Sequence, residues 1–329
     1  MELQATAADA DRLFPPPQTQ EVPRYRYLGQ LVGEGNFRVV EGNRSTARRL
    51  FAWIAGLGDE ADRPVVLQRP QAGMVDAAGR VLVTDVSRNA VFVFDQAGGK
   101  LDVWDRATRN QPFAAPIGIA PGRDGQVLVA DAELGRVFRL GADGAPRGEF
   151  GAGVLQRPTG IARDAARGRV YVADTYAHDV KVFDDDGQLV ATWGRRGEGP
   201  GEFNYPTHVA LSHGTVLVCD SLNARVQAFD AQGRPTLQVG ARGRYVGNLV
   251  RPKGVAADDE GNIYVVESMY DSLLVYDREG RFLMSLGGTG QEAGRFYLPA
   301  GVWIDARNRV FVADMFNGRI SVFQFLGGN

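Results

Sequence analysis

Apolar residues in this chain fall in short runs separated by polar turns, and many runs are apolar at every position rather than at every second one. Val170-Tyr-Val-Ala173 and Val310-Phe-Val-Ala313 are two examples, each preceded by an arginine and ended by an aspartate. A strand without alternation is a strand buried on both faces. Asp124-Gly125 and Glu260-Gly261 stand between first and second runs, and Asp186-Gly187 and Glu279-Gly280 between third and fourth, where hairpins need left-handed backbone. The runs group in fours. A proline opens each group, at Pro70, Pro116, Pro158, Pro206, Pro252 and Pro299, with spacings of 46, 42, 48, 46 and 47 residues.

Self-similarity at such a period identifies a repeat architecture, and four short strands per unit define a propeller blade. Blades stacked about an axis cover both faces of every sheet, whereas a half-solvated sandwich would alternate. The expected fold is therefore all-β: a six-bladed β-propeller with four-stranded antiparallel blades. The sixth unit is short, because only four residues, Leu326 to Asn329, follow its third strand. Residues 24–37, beginning Arg24-Tyr-Arg-Tyr-Leu28, have the look of the missing strand, and pairing them there closes the ring without an exposed edge. Residues 24–329 then form the propeller, with six repeats over 65–326 and an extended Pro-rich tether at 1–23. One helical insertion is expected at 45–57, where Ala47, Leu50, Phe51, Ile54 and Leu57 recur at helical spacing behind Ser45, their apolar stripe docked on the propeller.

Charge changes the picture little: 37 basic against 39 acidic residues give no whole-molecule field for nucleic acid or an anionic membrane. A single cysteine, Cys219, excludes an intrachain disulfide and any multi-cysteine metal site. No run is long enough to span a membrane, and the start Met-Glu-Leu-Gln-Ala-Thr is unlike a signal peptide. The compartment stays open, since a chain trimmed of an export leader would read the same.

The units resemble NHL repeats. Val172-Ala-Asp-Thr175 and Val218-Cys-Asp-Ser-Leu-Asn-Ala-Arg225 carry the likeness, which extends over residues 65–326. The Pro-rich start, the closing strand and the helix also resemble a group of bacterial six-bladed propellers that are often exported or lipid-anchored. Membrane association would then come only through a removed leader or anchor. Relatives with this repeat include protein and RNA scaffolds as well as lyases, so fold alone selects no function.

Amidating lyases of this fold hold zinc through three histidines, and this chain has three: His178, His208 and His213. Only His208, just after an opening proline, matches a channel-mouth position; His178 and His213 are expected at opposite ends of their blades, which leaves no triad. A calcium set of the lactonase type would draw on Glu133, Glu267 and Asn223. The acids Asp85, Asp131, Asp174, Asp220, Glu267 and Asp314, however, occupy one repeated position, and Arg136, Arg225 and Arg319 follow five residues after theirs. A catalytic set needs positions that differ between blades, so these acids are expected to tie down loops. Neither a phosphate loop nor a serine elbow occurs, and no cofactor or metal is expected.

Recognition remains. Loops after second strands and loops joining blades share one face, which carries Tyr176, Leu222, Met269, Tyr270 and Phe316 with Arg195, Arg196, Arg242 and Arg244 around them. His208 and Lys253 flank opening prolines at the channel mouth. An aromatic and methionine patch rimmed by arginine suits a protein or peptide. The expectation is a monomeric, non-enzymatic scaffold that binds a protein or peptide there and no DNA. A metal-dependent lyase or hydrolase and a single-stranded RNA binder are the alternatives.

Overall fold

Six antiparallel sheets, five of them laid down in chain order from the inner strand outward, build the computed structural model. It describes residues 1–6, 9, 11–19, 21–37 and 64–327. The expected helix at 45–57 lies outside the described residues.

Blade three shows why the sequence folds this way. Its first strand Pro158–Asp164 pairs with Arg169–Asp174, which pairs with Asp179–Asp184, which pairs with Leu189–Trp193. The second strand is buried almost throughout, and the fourth is exposed except at half-buried Ala191 and buried Trp193. Burial therefore falls from axis to rim, the reverse of a sandwich. Gly187, in the turn before the fourth strand, has φ of 91°, the left-handed backbone the Asp-Gly pair foretold.

First strands meet around the axis at contact distances that exclude side chains. A Cβ on Gly160 would sit 2.5 Å from His208 Cα in the next blade, and one on Gly301 would sit 2.2 Å from Gln71 O. Blade one departs from the pattern, with Gly73 where blades two to six carry Ile119, Ile161, Val209, Val255 and Val302. The Trp303 ring of blade six fills that space and stacks on Phe311 at 5.5 Å.

Blade six is completed by Tyr25–Leu31, which pairs with Arg319–Phe325. Tyr25 Oη donates to Tyr264 Oη at 2.8 Å, and Tyr264 Oη donates to Asp258 Oδ2 at 2.9 Å, so the closing strand is also bonded to blade five. Residues 1–23, expected as an extended tether, lie against this blade where they are described. Leu13–Phe14 forms a fifth strand on Tyr25–Leu31, and Gln4 bridges to Gln30. The reason is apolar: Phe14 packs edge-on against Phe323 at 5.9 Å and covers Gly294, while Met1 and Leu3 join the core under blade six.

Candidate functional site

The repeated acid ends every second strand and is fully buried in all six blades. Asp85 accepts from the backbone N–H groups of Gln68, Arg69, Ser87 and Arg88 at 2.6–3.1 Å. Asp131 takes four such donors and Glu267 takes three, one of them through both carboxylate oxygens. Each carboxylate thus anchors both the loop entering its blade and the loop leaving its strand.

Blades four and six use a second version of the device. Asp220 and Asp314 accept the N–H of Asn204 and Tyr297, which match Gln68 of blade one, but not the N–H of the residue after it. The next residues, Tyr205 and Leu298, take φ of 55° and 47° and donate instead to His178 Nδ1 and Asp271 Oδ1 of the preceding blades. The freed acid oxygen binds Asn223 and Arg225, or Asn317 and Arg319, with Asp–Arg distances of 2.8 and 2.7 Å. Burial pushes both carboxyls up from the ordinary range against the pull of these donors. Arg136 departs from the expected pattern: it donates to Leu134 O and pairs with Glu149, because Asp131 is already filled by four backbone donors.

The candidate metal ligands do not come together. His178 is a buried loop anchor, His213 lies in the turn at the far end of blade four, and His208 sits on its innermost strand. Glu267 is saturated with backbone donors, and Asn223 binds Gly197 O and Asp220.

The face of these loops is apolar beyond what the sequence reading named. Tyr176, Met269 and Phe316 are exposed by 54%, 52% and 51%, with Leu222 and Tyr270 also exposed. Tyr245, at 84%, Val246 and Tyr297 join them. These three were missed although Arg244-Tyr-Val-Gly247 is the interblade loop least able to bury its apolar residues. Tyr297 packs edge-on against Phe316 at 5.6 Å, and Tyr176 against Tyr205 at 6.1 Å. Arg195 is tied to Glu202 and Arg242 to Leu222 O; Arg196 and Arg244 stand in the same loops.

Three further arginines on this face, Arg69, Arg157 and Arg251, escaped notice in the sequence. Each precedes an opening proline, in blades one, three and five. Arg69 lies over the Phe316 ring at 5.6 Å and Arg157 over the Tyr176 ring at 5.1 Å. Lys253 follows the proline of blade five and is partly buried. Enclosure by protein pushes the His208 imidazole down to about 4, although part of its surface remains open along the axis.

Comparison with known proteins agrees with this architecture. The DUF5128 family model, described as a 6-bladed beta-propeller, matches residues 163–233. Peptidyl-glycine alpha-amidating monooxygenase A of Xenopus laevis is 27% identical over 168 residues, 45% of this chain and 17% of that protein. Human E3 ubiquitin-protein ligase NHLRC1 is 31% identical over 93 residues, 28% of this chain and 24% of that protein. The chain thus matches less than a quarter of either relative's length. Among solved structures, a streptogramin B lyase superposes with a TM-score of 0.60 at 14% identity, covering 81% of this chain and 85% of the other. The chain is thus a six-bladed β-propeller whose repeats are similar to those of NHL-repeat proteins.

Proposed function

We propose that this propeller is a non-enzymatic scaffold that binds a protein or peptide through the face carrying Tyr176, Leu222, Met269, Tyr270 and Phe316. The observation that carries the reading is the exposure of these large apolar side chains together with Tyr245, Val246 and Tyr297 on loops of one face. Scattered apolar residues on a surface are ordinary, but a contiguous set on functional loops marks an interaction site. The repeated acids support the same reading from the other side, since all six are fully buried and bonded to the loops or arginines around them rather than turned toward a ligand.

A photo-crosslinking residue in place of Tyr245, with one in place of exposed Leu189 on a blade flank as control, tests this in extracts of the native host. A defined protein adduct is expected from position 245 alone, and Tyr176→Ala with Phe316→Ala should remove it while the unfolding midpoint holds. Equal adducts at both positions, an adduct indifferent to the double change, or crosslinking to RNA instead would refute the assignment.

A further inference from the structure

Three cations without a carboxylate partner among the described residues stand beside the starts of the first strands of blades five and one, where the axial channel opens on the same face. Lys253 follows the opening proline of blade five, Arg251 precedes it, and Arg69 precedes that of blade one. Blade six, between them, contributes only Leu298 and Ala300 at the matching positions. Among the described residues none of the three cations has an ion pair or a side-chain hydrogen bond; Arg69 has only the Phe316 ring beneath it. The carboxylates at hand are occupied. Asp85 is filled by four backbone N–H groups, Glu267 by three, and Asp314 by Tyr297 N, Asn317 and Arg319.

The channel wall holds the Lys253 segment in place through its backbone carbonyls. Thr207 Oγ1 donates to Lys253 O at 2.9 Å, and Ser221 Oγ donates to Pro252 O, so the bulge bearing Lys253 is fastened to blade four. Gln71, its counterpart in blade one, reaches Met315 of blade six at 3.1 Å. Partial burial, with the neighbouring charges of Arg251 and Arg69, holds the Lys253 ammonium below its ordinary pKa. Such a group gains most from an anion placed between it and its neighbours.

We propose that the axial mouth is an oxyanion site in which Lys253, Arg69 and Arg251 together take a carboxylate or phosphate group. This rests on the proposed docking face in naming an acidic side chain of the bound peptide as its source. Three cations at one channel mouth fit a single anionic group, whereas an RNA backbone needs a charged groove that tracks successive phosphates.

Only three lysines occur, Lys100, Lys181 and Lys253, so reductive methylation followed by peptide mass spectrometry reads Lys253 directly, with exposed Lys100 as internal reference. Glutarate, inorganic phosphate, a hexapeptide of alternating Glu and Tyr, and its Gln counterpart serve as probes. The acidic peptide is expected to protect Lys253 and leave Lys100 unaffected, and the Gln peptide to protect neither. Calorimetric titration of the acidic peptide should weaken at least tenfold in Lys253→Met and in Arg251→Gln at unchanged unfolding midpoints. Protection by glutarate or phosphate without the peptide keeps the site but makes its ligand a free small anion, and it stands even if the apolar face binds nothing. Failure of every acidic probe, or protection only by oligouridylate, overturns the proposal.

Discussion

At the scale of single residues, repetition separates what the sequence disclosed from what it hid. The six acids were legible as a structural device because each recurs at one position, and in the structure five anchor the two loops around them while Asp174 anchors the entering loop alone. The variant in blades four and six was not legible. Tyr205 and Leu298 adopt left-handed backbone only because His178 and Asp271, from neighbouring blades, receive their N–H groups, and no local propensity announces that. His208 is the converse case, one residue where repetition fails and a side chain stands at an axial position that Gly118, Gly160, Gly254 and Gly301 fill elsewhere. Its imidazole is held neutral, with a pKa near 4 in the fold against an ordinary 6.5. Between those values the unfolded chain binds a proton that the native chain does not, so stability is full above pH 6.5 and falls as pH drops toward 4. The ceiling is about 3 kcal/mol at about 1.4 kcal/mol per pH unit, and water in the channel should reduce it to about 1–2 kcal/mol. His208→Gln is therefore expected to flatten the fall in unfolding free energy between pH 6.5 and 4.5 by that amount. Parallel curves for the two proteins, measured by denaturant titration, would show that the ring is solvated after all.

Elements were the most readable level. Strands with both faces covered cannot alternate, and their runs, turns and opening prolines fixed the blades well enough to identify a missing strand. The fifth strand Leu13–Phe14 and the bridge at Gln4 were not readable, since two-residue pairings depend on what the chain meets in space. Their presence strengthens the closure. A chain beginning at Glu34 loses the hydrogen-bonded edge of blade six, the Tyr25–Tyr264–Asp258 chain of hydroxyls and the buried rings of Tyr25 and Tyr27. Two buried aromatic side chains alone are worth about 3–5 kcal/mol each on truncation. Calorimetry is expected to show either no cooperative transition or one lowered by well over 10 °C. A midpoint within a few degrees of the full chain, at the same ratio of calorimetric to van't Hoff enthalpy, would mean that the ring does not depend on its N-terminal strand.

For the whole molecule, ring closure turns separate loops into one surface: six pairs of loops are held at fixed angles by first strands packed backbone to backbone. The fold was legible because it is a property of every repeat. The ligand was not, because the exposed loop residues are the positions at which the repeats differ. That division also separates the roles of apolar anchors and arginines. Central aromatics such as Tyr176 and Phe316 should govern how long a partner stays, each costing about 2 kcal/mol or more on truncation. Exposed charge should govern how fast it arrives. Arg242 is the test case, since its guanidinium also donates to Leu222 O at 2.5 Å and could act by holding Leu222 in place. With the crosslinked partner in hand, Arg242→Ala is expected to slow association a few-fold near 0.1 M salt, where screening extends about 10 Å, and to have no effect near 1 M, where it extends about 3 Å. Dissociation should not change. An equal loss at both salt concentrations, carried by faster dissociation, would instead make Arg242 a brace for the Leu222 loop and move the steering role to Arg195, Arg196 or Arg244.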